Sequence, residues 1–212
     1  MPSALARYIV RMWRTHFVIT AVHCRVYLLA FVTWLCTSIN ASYSATVERP
    51  DPELRNLLEK AVLNASSFDD RFDAQVWLLD MSTRLTSLVP EPSLRLQILR
   101  AVHREATSAG LEPELVLAVI TIESRFDRFA LSEAGARGLM QIMPFWLQEI
   151  GRPNDNLFII DTNLAFGCTI LRRYLDIERG NLSRALARYN GSLGKTWYPS
   201  LVMKAYRQRW TH

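Results

Sequence analysis

The stretch Pro113-Glu114-Leu115-Val116-Leu117-Ala118-Val119-Ile120-Thr121-Ile122-Glu123-Ser124-Arg125-Phe126 decides how the rest of the chain is read. Proline at its head costs nothing at a first helical position, where the missing N–H has no intrahelical partner. From Leu115 to Ile122 the side chains are apolar all round apart from Thr121. A helix of that kind is buried on every side. The segment predicts a central helix, Glu114 to Glu123, that ends on a carboxylate. Loss of water disfavours a charged carboxylate and raises its pKa, so Glu123 is a candidate proton donor near neutral pH. The position equally suits a glutamate turned to solvent or paired with Arg125 or Arg128, since charged residues are ordinarily exposed.

Outward from this helix the chain keeps helical periodicity, and no run reads as a strand ladder. Upstream, Leu96, Leu99, Val102, His103 and Ala106 share one face, and Gly110 suits a left-handed cap. Val89-Pro90-Glu91-Pro92 is the best boundary. Before it, Pro50-Asp51-Pro52 opens an amphipathic segment from Glu53 to Leu63. Another follows Asp69-Asp70, with Phe72, Val76 and Leu79 recurring beside Trp77-Leu78. Downstream, helices are expected to begin near Pro144, Asp161, Asn181 and Pro199, with Asp161 and Asn181 as N-caps. The expected fold is all-α: a helical domain over residues 93–212, large enough for one core, preceded by a helical N-terminal cap region over 45–92.

The charge pattern sets the leader apart. The chain of 212 residues carries a net +5, yet Arg7, Arg11, Arg14 and Arg25 precede the first acid, Glu48. Taking those four from 25 basic residues leaves 21 against 20 acidic ones. The basic stretch is followed by an apolar run, Val26 to Cys36, of signal-peptide length, and then by small polar residues. Residues 1–44 therefore read as an export signal cut after Ser44 or Ser42, with an uncleaved membrane anchor as the alternative. A spanning helix needs about 20 apolar residues, and Arg25 interrupts the run. Cys24 and Cys36 fall in the leader, leaving Cys168 alone in an apolar helical pattern as a buried small hydrophobe. The four histidines show no ligand spacing, so no metal and no cofactor is expected.

Two further stretches give Glu123 a context. Gly135-Ala136-Arg137-Gly138-Leu139-Met140-Gln141-Ile142-Met143-Pro144 sets a glycine turn before an amide flanked by apolar residues. Ala185-Leu186-Ala187-Arg188-Tyr189-Asn190-Gly191 ends an amphipathic helix on a residue suited to a C-cap. Each alone is an ordinary junction. With Glu123-Ser124-Arg125-Phe126, in this order and spacing, they resemble the catalytic domain of the soluble lytic transglycosylases, enzymes of the goose-type lysozyme fold. The resemblance spans roughly residues 94–198 and includes Asn163 and Leu171-Arg172-Arg173-Tyr174-Leu175. It departs from the family at Arg128, where many relatives carry proline, and at Gly191-Ser192-Leu193-Gly194.

The resemblance implies a lysozyme-like helical domain that cleaves peptidoglycan glycan strands with Glu123 as single general acid/base. It implies that Ser124, Met140 and Gln141 line the sugar subsites, while Tyr189 and Asn190 support the acid. A hydroxyl from Tyr189 would meet the carboxyl, and Asn190 would hold backbone or bond Ser124. It also implies a bacterial host and a location in the periplasm or at the cell envelope, with peripheral association as one form. A hydrolytic muramidase on the same fold is the alternative, with Asp127 or Glu133 as its second carboxylate. A non-catalytic peptidoglycan-binding protein is another. From Leu171 onward nine basic residues face only Asp176 and Glu178, with Trp197, Tyr198, Tyr206 and Trp210 interleaved. That end suits either an anionic glycan or a solvated helix face. Export and the lack of a nucleic-acid motif argue against nucleic acid.

Overall fold

The computed structural model describes residues 71–150 and 155–211, and every regular element in them is a helix. The expected leader and the Glu53–Leu63 segment lie outside the described residues. In chain order the helices are α1 (Arg71–Leu85), α2 (Pro92–Ser108), α3 (Pro113–Glu123), α4 (Trp146–Glu149), α5 (Ile160–Ile177), α6 (Leu182–Tyr189) and α7 (Trp197–Ala205). A π-helical turn, Tyr206–Trp210, closes the series. Among the described residues no helix is long and apolar enough to cross a membrane.

The apolar α3 is the centre of the core. Leu115 to Ile120 are all buried, Pro113 stands in its first turn, and Glu123 is its last residue, as the sequence predicts. Around it pack α2, α7 and the π-helical turn, while α5 lies against α2 and α6. Helix α2 buries the predicted face and ends as expected: Gly110 adopts φ +65, and the Leu111 N–H donates to Ala106 O at 2.9 Å, a Schellman closure. His103 sits at the edge of that face, its ring edge-on to Trp77 at 5.1 Å.

Helix α1 corrects one expectation. Its buried apolar residues are Ala74, Leu78, Met81 and Leu85, whereas Phe72 is 70% and Val76 52% exposed. Phe72, Val76 and Leu79 also have helical spacing, but the stripe offset by two residues is the one that meets the core. The Val89-Pro90 corner then turns α1 into α2. The buried Arg95 guanidinium donates to Val89 O (2.8 Å), Pro90 O (2.7 Å) and Ser82 Oγ (3.2 Å), so the corner is a packed hairpin.

The caps divide similarly. Asn181 caps α6 as expected, accepting from the Arg184 N–H at 3.1 Å. Asp161 does not cap α5: the N-cap is Ile159, and Asp161 lies two residues later within the first turn, paired with Arg104 at 2.9 Å. Cys168 is buried, and burial pushes its thiol well above the ordinary range. Several of the C-terminal cations are neutralised within the fold. Glu178 accepts from Arg184 at 2.5 Å and from Arg188, and Asp176 pairs with Arg172.

Candidate active site

Glu123 ends α3 where the helix leaves the core, and its carboxyl is largely enclosed. The Tyr198 hydroxyl, on the first turn of α7, donates to Glu123 Oε1 at 2.5 Å. Burial raises the carboxyl to about 7, against the pull of that hydrogen bond, which favours the charged form. Neither Arg125 nor Arg128 forms an ion pair with it: the described ion pairs engage other arginines. The acid therefore sits half-protonated near neutrality, with one fixed donor and no cation to hold it charged.

Tyr198 is the hydroxyl partner that the sequence reading assigned to Tyr189. Tyr189 instead donates to Met140 O at 2.8 Å. Burial, then the charge of Glu123, pushes both phenols well above their ordinary range, so both remain protonated donors. One signal for Tyr198 was available. It lies four residues before Val202 on α7, hence on the same face, and both are buried. A buried tyrosine hydroxyl needs a partner.

The loop after Glu123 is backbone-strained. Arg125 and Phe126 take φ +51 and +69, a left-handed pair without glycine, of the kind held only where surroundings over-determine it. Two anchors hold them. The Ser124 hydroxyl donates to Leu139 O at 2.8 Å and accepts from the Phe126 N–H at 3.2 Å. The Phe126 ring is buried against Trp210, 5.7 Å between centroids. Ser124 thus ties the first motif to the second.

The second motif folds back as a tight loop with single bridges from Arg137 to Leu131 and Ile142. Asn163, on α5 and 1% exposed, pins it: its amide donates to Arg137 O and Leu157 O, each at 2.8 Å, and its carbonyl accepts from the Met140 N–H at 2.8 Å. Gly138 is required there. At φ +74, a Cβ would fall 2.3 Å from the Asn163 amide nitrogen. Gln141 also takes positive φ, and its amide donates to Gly138 O (3.0 Å) and Ala130 O (3.2 Å). Both partners are carbonyls, so the nitrogen assignment is forced and the amide is held in one orientation.

Met140 departs from its expected place. Its side chain is fully buried against Gly167, where a Cβ would come within 2.2 Å of the sulfur, so the thioether fills the core and offers nothing to a sugar face. What Met140 presents is its carbonyl, to Tyr189. Met143 is half-buried and is the methionine of the motif that reaches the surface. Asn190 is the exposed C-cap of α6, and the Ser124 hydroxyl bonds Leu139 instead of Asn190. Of the alternative acids, Asp127 is exposed with its carboxylate turned onto the Phe129 N–H (2.9 Å), and Glu133 is exposed.

A cavity of about 570 Å³ opens elsewhere, lined by Trp77, His103, Glu114 and Tyr206 among others; Glu123 is not in its wall. Among the described residues no group of three His, Cys, Asp or Glu is placed to hold a metal ion.

If Glu123 carries the chemistry, Tyr198→Phe should lower kcat about tenfold, the worth of one charge-assisted hydrogen bond. The missing donor favoured the carboxylate, so the alkaline limb of the pH–rate profile should move to higher pH. A limb displaced to lower pH would contradict the arrangement.

Residues 100–204 match the family described as the Transglycosylase SLT domain. The chain is 32% identical over 116 residues to a transglycosylase of Enterobacteria phage PRD1, covering 51% of this chain and 43% of that protein. It is 35% identical over 99 residues to the membrane-bound lytic murein transglycosylase F of Desulfosudis oleivorans, covering 44% and 21%. The chain thus spans less than half the length of these two relatives. Among solved structures it is similar to an inactive mutant of the lytic transglycosylase Slt from Pseudomonas aeruginosa, with a TM-score of 0.43, 20% identity, and coverage of 75% of this chain and 35% of that one. The match gives residues 100–204, just under half of this chain, as a transglycosylase SLT domain, and both relatives are transglycosylases similar to part of it.

Proposed function

We propose that the protein is a peptidoglycan lytic transglycosylase in which Glu123 acts alone as general acid and then general base. The observation that carries this reading is the buried carboxyl raised to about 7 and held by Tyr198. A group with that pKa is substantially protonated at neutral pH and can still ionise once its proton is given up.

In the first step Glu123 protonates the oxygen between N-acetylmuramic acid and N-acetylglucosamine, and the C1–O bond breaks. The carboxylate so formed takes the proton of the muramic C6 hydroxyl, whose oxygen closes onto C1 to give a 1,6-anhydro end. The nucleophile belongs to the substrate, so its attack is intramolecular and profits from orientation. A hydrolase would need a second carboxylate to activate water. Asp127 is occupied with its own loop backbone and Glu133 stands exposed on the loop, which favours the transglycosylase over the muramidase. Gln141 and Ser124 are the candidates to line the sugar subsites, Gln141 through its fixed amide and Ser124 through the loop it anchors. Tyr189 and Asn190 support the acid indirectly, Tyr189 through the Met140 carbonyl. The expected export signal over residues 1–44 puts the enzyme in the periplasm or at the cell envelope, with the catalytic domain over 93–212.

Mass spectrometry of soluble fragments released from purified peptidoglycan tests the reaction class. Muramic ends lighter by one water than hydrolysed ones are expected. Reducing muramic ends would make the protein a muramidase. Retention on the wall with no fragments would make it a binding protein.

A further inference from the structure

Beside the loop that holds Gln141 lies a surface feature the reaction does not use. Phe129 and Phe158 pair with centroids 6.3 Å apart, and Phe129 is 60% exposed. The Arg128 guanidinium lies 4.4 Å from the centre of the Phe129 ring, and that of Arg137 lies 6.0 Å from Phe158. The four side chains form one row, cation, ring, ring, cation. Leu131, bridged to Arg137, and Ile159, next to Phe158, add apolar surface at 65% and 52% exposure.

Two properties of the row point to a ligand. The described ion pairs engage Arg84, Arg104, Arg172, Arg184 and Arg188, each with a carboxylate, whereas Arg128 and Arg137 meet none. Their Nε atoms are buried without an acceptor while the residues as a whole stay half-exposed. A guanidinium packed on an aromatic face keeps its fork available for a carboxylate. The row also adjoins the Gln141 loop: Phe129 and Arg137 are the immediate neighbours of Ala130 and Gly138, whose carbonyls hold the Gln141 amide.

We propose that Arg128, Phe129, Phe158 and Arg137 form a subsite for the carboxylate-bearing peptide stems of the strand whose glycan lies at Glu123. This rests on the transglycosylase reading. A stem carries short aliphatic side chains between carboxylates, so the rings take its apolar part and the two forks its charges. Exposed aromatic and arginine residues also suit an anionic membrane surface. Continuity with the Gln141 loop favours the stem.

Calorimetric binding of the full chain to a soluble muropeptide with its stem, and to the same saccharide without it, tests the subsite. The wild type should bind the stem-bearing form about tenfold tighter. The double variant Arg128→Gln/Arg137→Gln should lose that preference and bind the bare saccharide unchanged. Arg128→Lys/Arg137→Lys, which keeps charge without the fork, should fall between. Equal wild-type affinity for both saccharides overturns the proposal, as does a preference that survives in the Gln variant. Loss of binding to phosphatidylglycerol vesicles without loss of stem preference overturns it in favour of a membrane contact. A stem preference lost in the Gln variant, from a protein that releases no fragments from whole peptidoglycan, leaves the subsite standing and removes the transglycosylase reading.

Discussion

Glu123→Gln is expected to abolish fragment release from peptidoglycan and, at the same time, to stabilise the fold above pH 7. The catalytic half follows from the proton. An amide cannot protonate a glycosidic oxygen or take a hydroxyl proton, and loss of a positioned acid/base costs on the order of 10²–10⁴ in rate. Tyr198 can still donate to the Gln side-chain carbonyl, so the site should keep its shape. The stability half follows from linkage. The native carboxyl titrates near 7 and the ordinary value is 4.5. Between those two pH values the unfolded chain has released a proton that the native state still holds, so stability falls as pH rises through this window. Above pH 7 the full cost is about 3 kcal/mol, at 1.36 kcal/mol per pH unit. The amide carries no such cost. Thermal melts should place the variant above the wild type at pH 8 and close to it at pH 4.5. Melting temperatures in the same order at both pH values would show that the carboxyl is not held in the environment described here.

How much of this was legible before the structure depends on whether the information was local. Helix α3 was legible because its composition admits no solvent face, and Gly110 and Asn181 because their roles are set within one turn of chain. Helix α1 was legible as a helix but not in its buried face. Two stripes with helical spacing run along it, and only the neighbours decide which is covered. Met140 illustrates a related limit. Its burial depends on Gly167, 27 residues later, leaving a methionine-sized hollow on α5. Tyr198 and Tyr189 show the sharpest case. Both lie near helix ends and both are chemically able to meet Glu123. The choice rests on how α7 packs against α3, a contact spanning 75 residues that no local pattern encodes. Asp161 failed as a cap for a smaller reason: the α5 N-terminus starts two residues earlier, at the turn where Asn156 accepts from the Phe158 N–H.

Asn163→Leu should be the most damaging substitution outside the acid itself. Leucine matches the amide roughly in size, so the effect reads polar contacts and not volume. Without the amide, Arg137 O and Leu157 O lose a donor and the Met140 N–H loses its acceptor, the last two at buried positions and the first at a part-buried one. An unpaired buried group costs about 1–3 kcal/mol, and partial relaxation of three such groups leaves roughly 4 kcal/mol. For a domain of this size that is a fall of about 10 °C in melting temperature. Activity should fall further than stability alone requires, because the same loop fixes the Gln141 amide and presents Met140 O to Tyr189. Asn163→Asp separates the two halves of the amide. It keeps an acceptor for the Met140 N–H but turns a carboxylate oxygen toward two carbonyls, so it should be no better than leucine. A melting temperature within about 2 °C of the wild type for either variant, with fragment release intact, would mean that the loop is held by its backbone bridges and that the α5 amide is dispensable.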